Sequence, residues 1–265
     1  MKRIISLQNT QIKNILKLQE KSRERKKQGV FVIEGKREIE LALKGNYSIS
    51  TLFFLSSMIS EEYLSKYKGI ELINISKEIY RKIAYRHTTE GIIAIAKSKT
   101  NTLENIIFKN KKNPLILIIE GSEKPGNIGA MLRTADAANI DAVILADPKT
   151  DLYNPNVIRS SIGCLFTNQI AIASSKEIIK YLEEKDIKIF AATLQNSNLY
   201  TKENYTSSSA LVLGSEDIGL TEIWRKKAAK NINIPMNGEI DSMNVSVAAA
   251  ILVYEAKRQR NFNTI

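Results

Sequence analysis

From residue 115 onward, six short apolar segments recur with helical patterns between them: LILIIE (115–120), AVILA (142–146), NQIAIA (168–173), KIFAAT (188–193), ALVLG (210–214) and NINIPM (231–236). A strand with one face in water alternates apolar and polar residues. These segments are apolar at nearly every position, so both faces are buried. Helices between such strands supply the covering layers, and the order predicts an α/β fold built on a parallel sheet. The last helix, predicted over about 242–260, is apolar almost all round from Val245 to Val253 and is expected in the interior. Its charged end, KRQR, reaches solvent.

The first part of the chain differs in charge. Residues 1–112 hold 23 Lys/Arg and 11 Asp/Glu, whereas the rest holds 16 and 17, so the whole net charge of +11 comes from the amino-terminal part. A basic module joined to a neutral one implies a polyanion-binding domain beside a domain with another task. A solvated lysine-rich surface is the other reading of the charge alone. Residues 1–20 carry apolar groups at helical spacing (Ile12, Ile15, Leu16, Leu18), followed by the cationic run Lys21, Arg23, Arg25, Lys26, Lys27 up to Gly29. VFVIEG (30–35), TLFFL (51–55), ELINI (71–75) and GIIAIAK (91–97) read as strands. KREIELALKG (36–45) reads as a helix closing at Gly45. The sum is a small α/β module over 1–105. A polar linker over 106–114 ends at Pro114, and the second domain runs over 115–265.

Other classes fall away. The lone cysteine, Cys164, cannot form an internal disulfide, which suits a reducing cytoplasm. The start, MKRIISLQNT, lacks the apolar run of a signal peptide. No window approaches the roughly 18 apolar residues of a membrane span. No His/Cys cluster offers a metal site, and the one histidine, His87, lies before the second domain.

In doubly wound sheets, ligands bind beyond the carboxyl ends of the strands. Three loops there stand out. EGSEKPGNIGAMLR (120–133) brings Gly121, Gly126 and Gly129 between a strand and a helix, with Arg133 beyond them as a candidate anion ligand. It is neither a phosphate-binding GK[ST] loop, since Asn127 stands where the lysine is needed, nor G-x-G-x-x-G. LVLGSEDIGL (211–220) places Glu216 directly after a buried strand, where a helix cap is the plain reading. IPMNGEIDSMNVSVAAA (234–250) leads through Ser242 or a neighbour as cap into the last helix. Asn244 and Ser246 lie in its first turns, where free N–H groups gather.

In this order, the three loops resemble the three motifs of the SpoU (TrmH) family of RNA ribose methyltransferases, within the SPOUT superfamily. The first motif is matched by Pro125, Asn127, Gly129 and Arg133. The second is matched by the segment 211–220, and the third by Ile234-Pro235-Met236 with Ser242-Met243-Asn244-Val245-Ser246. The resemblance covers about 113–260, and more loosely the first domain, which resembles the family's L30e-like substrate-binding domain. Three positions depart from the usual pattern: Lys124 stands where Asp or Asn is common, Met243 where Leu is usual and Glu90 where Gln is common.

The resemblance implies a trefoil-knotted methyltransferase domain acting as a homodimer in the cytoplasm, with S-adenosylmethionine as cofactor and no metal. It implies Thr193, Leu213, Gly214, Ile234, Met236 and Met243 around the cofactor. It gives Arg133 the central catalytic role. A guanidinium does not deprotonate in a protein, so that role is to pin a phosphate and stabilise an emerging alkoxide. Asn127 would position ribose or phosphate, Glu216 would orient the site, and Asn244 and Ser246 would bond cofactor or nucleotide. Arg23, Arg25, Lys26, Lys27, Lys36, Arg37 and Arg86 are the expected RNA contacts. The expected reaction is methylation of a ribose 2′-hydroxyl in 23S rRNA. A tRNA substrate, and a catalytically silent RNA-binding or ribosome-assembly factor, stay open on the sequence.

Overall fold

The apolar segments do become strands, and those over Leu115–Glu120, Ala142–Ala146 and Ser209–Leu213 are buried at every position, whereas in the strand over 230–233 only Ile232 is buried. The structure, a computed structural model, describes residues 2–85, 90–108 and 112–262. It divides into two compact units, one formed by 1–100 with 151–167 and the other by 101–150 with 168–265. Among the described residues, no helix is long and apolar enough to cross a membrane.

The first unit contains β1 (Lys2–Ile4), α1 (Thr10–Glu20), α2 (Ser22–Gln28), β2 (Val30–Glu34), α3 (Lys36–Lys44), β3 (Ile49–Phe54), α4 (Glu61–Leu64), β4 (Glu71–Ile75), α5 (Lys77–Ile83) and β5 (Ile92–Lys97). Its sheet has the order β1-β4-β3-β5-β2, parallel at β1/β4 and β4/β3 and antiparallel at β3/β5 and β5/β2. The helical spacing read over 1–20 holds only from Thr10. Residues 2–4 instead extend the sheet beside β4, and Ile4 packs into the core. Asn9 starts α1 by accepting the Gln11 amide at 2.9 Å. From there Ile12, Ile15 and Leu18 fall on one face and are fully buried.

The cationic run forms α2, and one of its members is not a surface charge. Arg25 is 4% exposed. Its Nε donates to Asp151 Oδ2 at 2.5 Å, and its Nη1 donates to the carbonyls of Leu18 at 2.6 Å and Gln19 at 3.1 Å. The expectation that Arg25 touches RNA is therefore corrected. On α2 it faces inward, toward the end of α1, while Arg23, Lys26 and Lys27 face solvent. Lys36 lies over the Tyr63 ring at 4.9 Å, and Arg37 is exposed. Arg86 and His87 lie outside the described residues.

The second unit contains β6 (Leu115–Glu120), α6 (Pro125–Ala137) and β7 (Ala142–Ala146). The chain then contributes 151–167, with α7 (Pro155–Ser160), to the first unit. A single boundary near 106–114 does not capture this excursion, which completes the first unit's core. Tyr153 stacks on Phe31 at 4.3 Å, and Phe166 meets Tyr47 edge-on at 5.0 Å. Gly45 belongs to the same fit. Its φ is an ordinary −78°, but a Cβ there would lie 2.1 Å from the Phe166 carbonyl oxygen.

Back in the second unit follow β8 (Ile170–Ala173), α8 (Ser175–Glu184), β9 (Lys188–Ala192), β10 (Asn198–Leu199), β11 (Ser209–Leu213), α9 (Glu222–Lys227), β12 (Lys230–Asn233) and α10 (Val245–Gln259). The sheet is parallel throughout, with the order β10-β12-β9-β11-β6-β7-β8. The second unit begins before the expected linker: Leu103, from the stretch expected in the first domain, and Ile106, the first linker residue, are buried in this unit's core, and Ile172 donates to the Asn101 carbonyl at 2.8 Å.

Two further expectations change. Ile234 and Met236 lie past β12 in the loop rather than in the strand. Helix α10 is not buried all round. Ala249, Leu252, Val253 and Ala256 face inward, while Val247 is 50% and Tyr254 45% exposed.

Candidate functional site

Strand order places the site. β11 lies between β6 and β9, so the loops after β9, β11 and β12 open on the same edge of the sheet. They enclose a cleft of about 350 Å³. Its wall includes Thr193 after β9, Leu213 and Gly214 at the end of β11, and Ile234, Met236 and Met243 after β12. Leu252 of α10 and Arg225 of α9 also line it, and nothing in the sequence singled them out. Arg225 is held by donating to the Leu220 carbonyl at 3.0 Å.

Gly214 has a specific reason to be glycine. A Cβ there would stand 2.1 Å from the Gly219 carbonyl carbon and 2.3 Å from the Leu220 nitrogen. The loop 215–219 folds back on itself, with the Gly219 amide on the Ser215 carbonyl at 3.0 Å, and comes this close only because position 214 has no side chain.

Above the cleft the three loops meet at one carboxylate. Glu216 Oε1 accepts Nδ2 of Asn127 at 2.8 Å and Nδ2 of Asn244 at 2.7 Å, while Oε2 pairs with the Lys124 ammonium. Asn244 Nδ2 also donates to Asn127 Oδ1 at 3.2 Å. Asn244 is the N-cap of α10, where Ser242 or a neighbour had been expected. Its Oδ1 takes the Ser246 amide at 2.9 Å and the Ser246 hydroxyl at 2.6 Å. The Lys124 hydrogen bond first, then that from Asn127, hold the Glu216 carboxyl below the usual carboxylate range; partial burial opposes them. An ionised group whose oxygens are already occupied orders its neighbours and is a poor proton acceptor.

The structure thus brings Asn127, Glu216, Asn244 and Ser246 together. It does not bring Arg133 to them. Arg133 lies six residues along α6 from Asn127, about 9 Å of axial rise, and on another face of the helix. It is exposed and makes no hydrogen bond or ion pair among the described residues.

Sequence reasoning passed over two members of the site. Lys124 was noted only as a departure from pattern. Glu120, the last residue of β6, is 4% exposed and accepts from the Thr221 amide at 2.8 Å and hydroxyl at 2.6 Å. It thereby anchors the second loop where α9 begins. The signal available was an acidic residue closing an otherwise apolar strand, and such a residue is buried only with partners.

Comparison with known proteins gives the family. Residues 114–254 match the SpoU rRNA Methylase family, and residues 9–94 match the MRM3-like substrate binding domain. The chain is 31% identical over 257 residues to the 23S rRNA (guanosine(2553)-2'-O)-methyltransferase RlmP of Bacillus subtilis (strain 168), covering 97% of this chain and 100% of the relative. A crystal structure of an RNA 2'-O ribose methyltransferase aligns with a TM-score of 0.83 at 37% identity, over 98% of this chain and 99% of that one. The AdoMet-bound rRNA methyltransferase from Sinorhizobium meliloti aligns with a TM-score of 0.89 at 26% identity, over 97% of each chain. With one family model spanning over half of the sequence and a relative matched along nearly all of it, this chain belongs to the SpoU rRNA methylase family.

Proposed function

We propose that this protein transfers a methyl group from S-adenosylmethionine to a ribose 2′-hydroxyl of 23S rRNA, in the cytoplasm and as a homodimer. The observation that carries the reading is the meeting of three loops on Glu216 above one cleft at the carboxyl edge of a parallel sheet. The cleft fits the cofactor in kind. Its volume lies within the roughly 300–1,000 Å³ of small-molecule sites. Leu213, Ile234, Met236 and Met243 offer apolar surface for an adenine, and Thr193 offers a hydroxyl. When bound, S-adenosylmethionine supplies a methyl already activated on a sulfonium, so the protein's part is placement and charge.

Asn127 keeps one amide hydrogen uncommitted among the described residues and presents it to the ribose or its phosphate. Arg133 stabilises negative charge on the 2′-oxygen. Two features of α6 and α10, which pack on each other, support the homodimer. Val247 and Tyr254 leave an apolar strip in water, and Arg133 is exposed with no ion pair among the described residues. A second copy covers the strip, and Arg133 serves a site built from both subunits. The reading favours rRNA over tRNA because the basic first unit matches a substrate-binding domain and the full-length relative is named for 23S rRNA.

The test is incubation of the full-length protein with labelled S-adenosylmethionine and either 23S rRNA or tRNA, followed by mapping of alkali-resistant riboses. Label on 23S rRNA supports the reading, and label on tRNA alone overturns the substrate. Cofactor binding without any transfer would make the chain a silent RNA-binding factor.

A tighter check falls on Gly214. Gly214→Ala forces the 215–219 loop away from β11, an overpacking strain of about 1–3 kcal/mol. Calorimetry is expected to show S-adenosylmethionine binding weakened about tenfold or more; unchanged affinity would mean that this loop does not shape the cofactor cleft.

A further inference from the structure

The Lys124–Glu216 pair is poorly explained as a stabilising contact. The Lys124 side chain is 65% exposed and that of Glu216 is 21%. An exposed ion pair adds little to stability once the ordering of a lysine side chain is counted. Lys124 sits at the N-cap position of α6, yet makes no side-chain cap to that helix. It reaches instead across to the second loop, 92 residues away.

What it meets there is the hub of the site. Glu216 Oε1 receives two amides, from Asn127 at 2.8 Å and Asn244 at 2.7 Å. Both are donors, so that oxygen must be an acceptor. Protonation on this oxygen would set an O–H against two N–H groups and release at least one amide. Oε2 is the side on which a proton could be taken without that clash, and Lys124 occupies it. The coupling continues beyond the carboxylate. Asn244 Oδ1 takes both the amide and the hydroxyl of Ser246, so the start of α10 is set by the same contacts.

We propose that Lys124 is a positioning residue for methyl transfer, holding Glu216 in the one pose that fixes Asn127 and Asn244 against each other at the mouth of the cleft. This rests on the reading of the cleft as a methyl-transfer site. Lys124 touches neither substrate nor cofactor in this role; it acts through Glu216. The other charged groups around Glu216 are Asp217 on its own loop, Glu123 on the first loop, which pairs with Lys149, and Asp241 and Arg225 on the cleft wall. Asp217, Glu123 and Asp241 are acidic, and Lys124 alone of these groups pairs with Glu216.

The sign of the pH effect follows. The lysine ammonium keeps the Glu216 carboxyl low, so removing it lets that carboxyl rise toward or above its ordinary value. Transfer requires the ionised form, so the acid limb of kcat moves to higher pH.

The experiment uses full-length Lys124→Ala, Lys124→Arg, Glu216→Gln and the double variant Lys124→Ala/Glu216→Gln. It measures kcat and KM over the acid range, and titrates Glu216 directly by carbon-13 carboxylate NMR. Lys124→Ala is expected to lower kcat about tenfold, as a small misplacement does, with the KM for S-adenosylmethionine changed less. Its acid limb and the Glu216 titration are expected to rise together to higher pH. Lys124→Arg should recover most of both, and Lys124→Ala should add nothing on the Glu216→Gln background. An active wild type whose Lys124→Ala variant keeps its acid limb and its Glu216 titration overturns this proposal alone. So does a loss confined to the KM for RNA, which would make Lys124 a phosphate contact. A wild type that binds cofactor and transfers nothing overturns the reading of the site as well.

Discussion

Arg133→Ala is expected to lower single-turnover methyl transfer to rRNA by on the order of 10²–10³, the usual effect of removing one preorganised charged donor. Fold and cofactor affinity should hardly change. Arg133 is exposed and has no ion pair among the described residues, and it is not part of the cleft wall. No histidine lies in the second unit to serve as base, and Glu216 is held ionised with its oxygens occupied. Under the proposed function, charge stabilisation at the 2′-oxygen is therefore assigned to the guanidinium. Arg133→Lys separates charge from shape. Lysine keeps the charge but loses the planar fork that can hold a phosphate and the 2′-oxygen together, so little activity should return. The measurement is transfer of labelled methyl under single-turnover conditions, with cofactor binding followed in parallel. Near wild-type transfer by Arg133→Ala would remove this residue from the mechanism. Strong transfer by Arg133→Lys would show that a positive charge alone suffices.

Within the cationic run of the first unit, neighbouring residues should behave in opposite ways. Arg25→Ala leaves Asp151 as a buried carboxylate without its cation, and two carbonyls of α1 without a donor. Breaking such a pair from one side costs about 3–5 kcal/mol. That is a large share of the stability of any domain. Arg25→Ala should therefore lower the denaturant midpoint sharply, and any loss of RNA binding should track unfolding. The triple change of Arg23, Lys26 and Lys27 to Ala should instead leave stability within about 0.5 kcal/mol, as exposed substitutions do. It should weaken RNA binding and flatten its salt dependence as phosphate contacts are lost. Urea unfolding and RNA titration at several salt concentrations distinguish the two cases. A stability loss under about 1 kcal/mol for Arg25→Ala would show that the pair is as weak as a surface one. An unchanged salt slope in the triple variant would leave the run a solvated surface.

Burial on both faces is a property of each strand's own residues, so a parallel sheet with covering helices could be read directly from the apolar segments after residue 115. The residue types of the three loops were equally visible, because asparagine, glutamate, arginine and glycine declare their chemistry without neighbours. Which of them meet is a matter of strand order, and strand order comes from long-range pairing that local pattern does not encode. Asn127 and Asn244 are 117 residues apart and touch because β11 lies between β6 and β9. Arg133, on the same helix as Asn127, is turned to a different face. The inward side of α2 was hidden for a similar reason. Arg25 and Lys26 are alike in the sequence, and only the packing of α2 against the end of α1 and against Asp151 separates a core ion pair from a surface charge. The placement of 151–167 was decided the same way. Phe31 and Tyr47 need aromatic cover, and Tyr153 and Phe166, more than 100 residues further along the chain, supply it. The apolar pattern of α10 determined that it would be a helix with buried surface. Tertiary packing decided that only one side is covered within the chain, since a helix laid on one layer leaves its far face, here Val247 and Tyr254, in solvent.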